Sequence, residues 1–290
     1  MEPKEGTIVG RIWDGGDVAQ ELLERVRGEV VMLQREGRSP PTLAEIRVSA
    51  SPLDKHVQVL QKTACQFTGV SYHVRSFPPI SDHHTILHAL AELNADPNIT
   101  GITIHAPTFA HRPELVGAVA PEKDVDGLHP LNLGRLVTDK RRRRAVRGAD
   151  IVQLLRRAGI TLAGAHVVCI GNTSGLARVL ALLCLHENAT ISAWRGTIMG
   201  SVKVLKRGDV LVLDAEDVPA LDGNTLKPGV VVIDARTQST GRRQPLREAG
   251  FEAVSLLIPV PGGVGPTTVA MRLSALVARY HTPDKDQPWC

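Results

Sequence analysis

Aromatic side chains make up only 3% of this chain, too few for the stacking platforms on which single-stranded nucleic acids rest, so nucleic acid is not an expected partner and the core must be aliphatic. Cysteine is equally sparse. Cys65, Cys169, Cys184 and Cys290 show no paired spacing, which argues against a disulfide framework and predicts a reducing, cytoplasmic setting. No apolar run approaches the roughly 20 residues of a membrane span, and Met1 leads into "EPKEGTIVG" rather than a secretory signal. Nor is charge of one sign abundant: the formal net charge is +4, mild enough for an acidic small molecule. The one basic run, "KRRRR" at 140–144, reads as a solvated loop. His83, His84 and His88 read as surface residues rather than a ligand set, so no metal is expected.

What is present is aliphatic and periodic. Hydrophobic residues reach 43%, ample for a buried core. Val18, Leu22, Leu23, Val26, Val30 and Leu33 recur at three and four, which predicts one buried helix face over 17–36. Strands at "LAEIRVSA", "SYHVRSF" and "GITIHA" alternate with helices over 52–69 and 86–93, as in parallel βαβ units. A second cycle follows: "HVVCIGN", a helix over 176–185, "ATISAW", "VLVLDA", "VVVIDA" and "EAVSLLI", Val/Ile/Leu runs suited to strands buried on both faces. The expected fold is α/β in two lobes. Residues 1–138 with 264–290 form a three-layer α/β lobe, and 139–263 form a doubly wound, Rossmann-like lobe. A closing helix starts near Gly265 and Pro266 and returns to the first lobe, with Arg272 and Arg279 outside its apolar face.

"PEKDVDGLHPLNLGRL" and "PVPGGVGPTTVAMRL", together with the order of elements, resemble the bifunctional methylenetetrahydrofolate dehydrogenase/methenyltetrahydrofolate cyclohydrolase family over nearly the whole chain. The resemblance implies folate in a cleft, NAD(P) on the second lobe and homodimerisation. A pterin offers an amide-plus-amine edge that a carboxylate grips with paired hydrogen bonds, and Asp126 stands where the family places such a group. Pro261, Gly262, Gly263, Gly265 and Pro266 would let a flat ring lie against bare backbone. Read without the resemblance, "PGGVGP" is equally a strand-to-helix turn.

Elsewhere the chain departs from the family. Aligned on Ala64 and Cys65, the family's Tyr-x-x-x-Lys pair falls on Val57 and Gln61, which would face the folate but cannot titrate near neutrality. His105, at a strand end where the family usually has Gln, and Asp54, three residues before Val57, are the candidates for proton transfer. In "GNTSGLARV" the degenerate dinucleotide loop, with Thr173 in it, keeps its first glycine, Gly171, but Asn172 stands in place of an arginine and Ala177 in place of a glycine. Asp214, Glu216 and Asp217 add negative charge nearby, and Arg236 occupies a small-residue position from which it would enter the nicotinamide space. These departures point away from NAD(P). The leading expectation is a folate enzyme performing non-redox one-carbon transfer from a tetrahydrofolate derivative to a second small molecule. The alternatives are an NAD(P)-dependent dehydrogenase with impaired cyclohydrolase, and an inactive homologue with a scaffold role.

Overall fold

The computed structural model describes residues 10–49, 52–106, 112–138, 146–171, 176–194, 202–214, 221, 223–236, 252–259 and 262–281. The chain divides into two compact units, 17–147 with 268–290 and 1–16 with 148–267. Among the described residues no helix is long and apolar enough to cross a membrane.

In the first of these units, β2 (Thr42–Val48) lies between β3 (Ser71–Phe77) and β4 (Gly101–His105) in a parallel three-stranded sheet. Alternation along β2 splits its side chains between two faces. Ala44, Ile46 and Val48 pack with Ile86, Leu90 and Leu93 of α3 (His83–Ala95) and Leu115 of α4 (Arg112–Gly117). On the other face Leu43 packs with Val26 and Val30 of α1 (Gly16–Arg35), Ala64 and Cys65 of α2 (Pro52–Thr68), and Val269, Leu273 and Leu276 of the closing helix α9 (Val264–His281). This is the predicted three-layer arrangement, with the closing helix returning to this lobe as expected. Gly101 allows β4 to sit this close: a Cβ there would lie 2.2 Å from Val125 Cγ1 and 2.6 Å from Leu276 Cδ1. Gly101→Ala is therefore expected to cost about 1–3 kcal/mol of stability, read as a lower urea midpoint with an unchanged slope.

The other unit is a parallel sheet of six strands in the order β1-β9-β8-β7-β5-β6. Its strands are β1 (Arg11–Ile12), β5 (His166–Gly171), β6 (Thr190–Trp194), β7 (Val210–Asp214), β8 (Val230–Asp234) and β9 (Val254–Ile258). Val168 and Ile170 belong to the core on one face, while the alternating Val167 and Cys169 are buried on the other, as the uninterrupted apolar runs predict. Three boundaries differ from expectation: the internal splits fall at 147/148 and 267/268 rather than 138/139 and 263/264, and residues 1–16 change unit. The N-terminal residues cluster with this sheet because β1 pairs in parallel with β9 and Trp13 N–H donates to the Leu257 carbonyl at 3.0 Å.

Candidate functional site

The segment after β4 carries Asp126, the carboxylate on which the candidate site is built. Ile102 N–H donates to the Lys123 carbonyl at 2.7 Å and Val125 N–H to the Ile102 carbonyl at 3.3 Å, so the chain runs briefly in parallel beside β4. The charged residues of "KDVDG" then take different roles. Lys123 Nζ donates to the carbonyls of Leu93, Asn94 and Asp96 at 3.1, 2.8 and 2.6 Å, closing the end of α3. Asp124 Oδ1 accepts from Gly127 N–H at 3.0 Å, and its Oδ2 accepts from His129 N–H at 2.8 Å and Asn132 Nδ2 at 2.9 Å. Those bonds fix the turn in which Gly127 adopts φ 70° and lead into α5 (Pro130–Thr138). Both residues are architectural.

Asp126 is held differently. Its Oδ2 accepts from Thr103 Oγ1 at 2.6 Å and its Oδ1 from Arg272 Nε at 2.8 Å. Burial works to raise its pKa, but the Arg272 guanidinium and the Thr103 hydroxyl outweigh that and hold the carboxyl below its ordinary value. Arg272 Nη1 donates to Gln61 Oε1 at 2.7 Å, and Gln61 Nε2 donates to Cys65 Sγ at 3.5 Å. Burial pushes the Cys65 thiol up to about 11, against the opposing pull of Gln61 and Arg272, so it is no nucleophile. The result is a continuous chain from α2 through α9 to the carboxylate beside β4.

Around it lies more buried charge. Parallel register pairs Glu45 with Thr103 and Arg47 with His105 across β2 and β4, on one sheet face. Arg47 Nη2 meets Glu45 Oε1 at 2.5 Å, and the Tyr72 hydroxyl of β3 donates to Glu45 Oε2. Sequence reasoning missed Arg272, Glu45, Arg47 and Tyr72, and for the first three a signal existed: Glu45 and Arg47 alternate inside an apolar strand, and Arg272 interrupts an apolar helix. The expectation that Arg272 and Arg279 lie outside the apolar face is corrected. Arg279 is buried and donates to the carbonyls of Pro121, Glu122 and Asp124, the last at 2.6 Å. A helix packed against a loop can use a buried arginine to satisfy loop carbonyls, as Arg279 does.

Of the other residues singled out by sequence, Val57 is partly buried one turn before the fully buried Gln61, and His105 is partly buried at the end of β4. The side chain of Asp54 lies outside the described residues, as do Pro261, Asn172, Thr173, Glu216 and Asp217. In the glycine turn, the chain's own packing accounts for the missing side chains. Gly262 adopts φ 120° with its Cβ position 3.0 Å from Asp14 Cβ, and a Cβ on Gly263 would lie 2.4 Å from Ile258 Cγ2. Only at Gly265 would a Cβ meet nothing within 4 Å. Pro266 sits partly buried in the first turn of α9.

The six-stranded sheet has its order reversal at β5, flanked by β6 and β7, and ligands of such sheets sit beyond the carboxyl ends at that point. Gly171 pairs with Asp214 at those ends, and Ala177 is partly buried in the first turn of α7 (Leu176–His186). Arg236 does not extend as expected. Its Nε and Nη2 form a fork on Asp234 Oδ1 and Oδ2 at 2.8 and 2.7 Å, with both residues buried. Two residues apart at a strand end, the pair closes on itself and neutralises the carboxylate. Among the described residues no group of His, Cys, Asp or Glu is arranged to hold a metal ion.

Comparison with known proteins agrees with both halves. Residues 13–126 match the family model for the tetrahydrofolate dehydrogenase/cyclohydrolase catalytic domain, and residues 146–283 match that for its NAD(P)-binding domain. The bifunctional protein FolD of Methanospirillum hungatei is 33% identical over 92% of this chain and 97% of its own. The crystal structure of the FolD methylenetetrahydrofolate dehydrogenase/cyclohydrolase from Campylobacter jejuni superposes with a TM-score of 0.81 at 26% identity, covering 92% of this chain and 97% of that one. The Trypanosoma brucei enzyme, complexed with NADP cofactor and inhibitor, gives 0.83 at 23% identity over 94% and 99%. The match of residues 146–283 to an NAD(P)-binding domain runs against the sequence-based doubt about NAD(P). By sequence and by fold, this chain is a member of the tetrahydrofolate dehydrogenase/cyclohydrolase family.

Proposed function

We propose that this enzyme oxidises methylenetetrahydrofolate to methenyltetrahydrofolate with NAD or NADP as hydride acceptor, and that it does not efficiently hydrolyse the product. The observation that carries this reading is the chain from Gln61 through Arg272 to Asp126. An ionised carboxylate has about four lone-pair sites. Thr103 and Arg272 each engage one oxygen of Asp126, so each oxygen keeps capacity for one N–H of a pterin edge. Two such charge-assisted bonds anchor the ring and fix the one-carbon unit.

Oxidation needs no protein base, because the methylene carbon loses a hydride and the nitrogen lone pairs delocalise the resulting cation. The bound nicotinamide supplies the hydride acceptor. Gly171 and the first turn of α7, with Leu176 and Ala177, would hold the dinucleotide at the strand-order reversal. With Arg236 folded onto Asp234, one of the departures that favoured a non-redox transferase falls away. Hydrolysis is different, since water attacking the methenyl carbon must lose a proton. Gln61 has both ends of its amide engaged and cannot titrate, and the Arg272 guanidinium does not deprotonate.

Steady-state assays with methylenetetrahydrofolate and either NAD or NADP test the reading: reduced nicotinamide is expected with at least one of them. Folate binding without reduction of either would return the enzyme to one-carbon transfer. His105 and Asp54 remain the candidates for proton handling. Methenyl hydrolysis present in the wild type and lost in one of His105→Gln or Asp54→Asn would assign that role.

A further inference from the structure

Arg272 is not among the residues that sequence reasoning placed in the site, yet it joins the two that were. From α9 it reaches Asp126 through Nε and Gln61 through Nη1, and its side chain is only 14% exposed. A planar cation with five donors in a fixed fork holds two acceptors at a set angle, which a lysine ammonium on a flexible stem does not. Gln61 presents its carbonyl oxygen to Arg272 and its amide nitrogen to Cys65, so the orientation of its amide is dictated by that cation.

We propose that Arg272 is the fixed cation of the pterin pocket, a positioning residue that orients Asp126 and Gln61 for the folate substrate and keeps Asp126 an ionised acceptor across the working pH range. The inference rests on the reading that Asp126 grips the pterin, and it adds the group that makes the grip independent of pH. The surroundings support this. The charged and titratable groups facing the pair are Glu45 and Arg47 from β2, Tyr72 from β3, Cys65 from α2, Asp124 from the same loop and Arg112 from α4, with His105 in register beside Arg47 on β4. Glu45 pairs with Arg47, and Asp124 is held by Asn132 and backbone N–H groups; Arg272 bonds Asp126 directly, and Arg112 adds a smaller pull on the same carboxylate. Remove the guanidinium and burial dominates: the carboxyl gains affinity for its proton, and a protonated Asp126 offers a donor where the pterin also offers donors.

The test is tetrahydrofolate binding by calorimetry at pH 5.5, 7.0 and 8.5 to the wild type, Arg272→Met, Arg272→Gln and Arg272→Lys, with thermal unfolding of each sample. Affinity of the wild type is expected to vary less than about threefold across this range, because the folded carboxyl titrates below it. Arg272→Met is expected to bind about 10- to 100-fold more weakly at pH 7.0, the loss of one charge-assisted contact, and weaker still at pH 5.5. Arg272→Gln, which keeps a planar donor without charge, should show the same pH dependence even if the methionine variant fails to fold. Arg272→Lys should recover the flat profile with only part of the affinity. Folded neutral variants with a flat profile, or a loss equal at every pH and not rescued by lysine, would overturn the proposal. Failure of the wild type to bind at any of the three pH values would overturn the folate reading itself, and this inference with it.

Discussion

Asp126→Asn is expected to weaken tetrahydrofolate binding by about 100-fold or more. The wild-type carboxylate gives the pterin edge two charge-assisted acceptors, each worth about 1.5–3 kcal/mol, and every 1.4 kcal/mol is tenfold in affinity. Asparagine keeps one acceptor oxygen and replaces the other with an NH₂ group. That group meets either the Arg272 guanidinium or the pterin donors, and both encounters set donor against donor. The substitution also strands Arg272, and removing one partner of a buried pair costs about 3–5 kcal/mol of stability. Binding loss and folding loss must therefore be separated. The paired replacement Asp126→Asn with Arg272→Gln removes both charges and is expected to regain most of the unfolding midpoint while binding stays lost. Calorimetry and urea denaturation on the same samples read the two effects independently. A double variant that recovers binding along with stability would show that Asp126 is architectural, like its neighbour Asp124.

Preformed methenyltetrahydrofolate is expected to decay in the presence of the wild-type enzyme at nearly its rate in buffer. Positioned proton transfer contributes about 10²–10⁴-fold to such a step, and the pocket position that would supply it carries an amide. Gln61 is fully buried, with Arg272 on its oxygen and Cys65 beside its nitrogen. Burial and the neighbouring Glu45 drive the Tyr72 hydroxyl far above its ordinary pKa, and Asp126 is too weak a base because its proton affinity is held low. Loss of methenyl absorbance with and without enzyme, at matched pH and buffer, measures the effect. Acceleration of 100-fold or more would contradict this account of Gln61.

Most of the architecture was readable from the chain because it follows from apolar periodicity: the three-and-four spacing of α1, the short aliphatic strands and the stripe Val269, Leu273, Leu276 each have one packing solution. β1 was not readable, since Arg11–Ile12 is too short to carry any period and exists only because β9 offers an edge. The motif "KDVDG" pointed to Asp126, but how each of its charged residues is held depends on contacts with α3 and α5 that no local pattern encodes. Arg272 and Arg279 were misjudged for a related reason: a long side chain one position off an apolar stripe can turn inward when carboxylates or carbonyls wait there. Arg236 shows the converse. Its partner Asp234 stands two residues earlier, on the same side of an extended chain, so that closure was open to inference from sequence.

The most direct test reads oxidation and hydrolysis in one progress curve. The wild-type enzyme is mixed with methylenetetrahydrofolate and NAD or NADP, and reduced nicotinamide and methenyltetrahydrofolate are followed together. The account predicts that the two rise in equal amounts and that the methenyl compound persists at its buffer lifetime. Bound folate with no reduced nicotinamide, or reduced nicotinamide whose methenyl partner is consumed as fast as it forms, would contradict it.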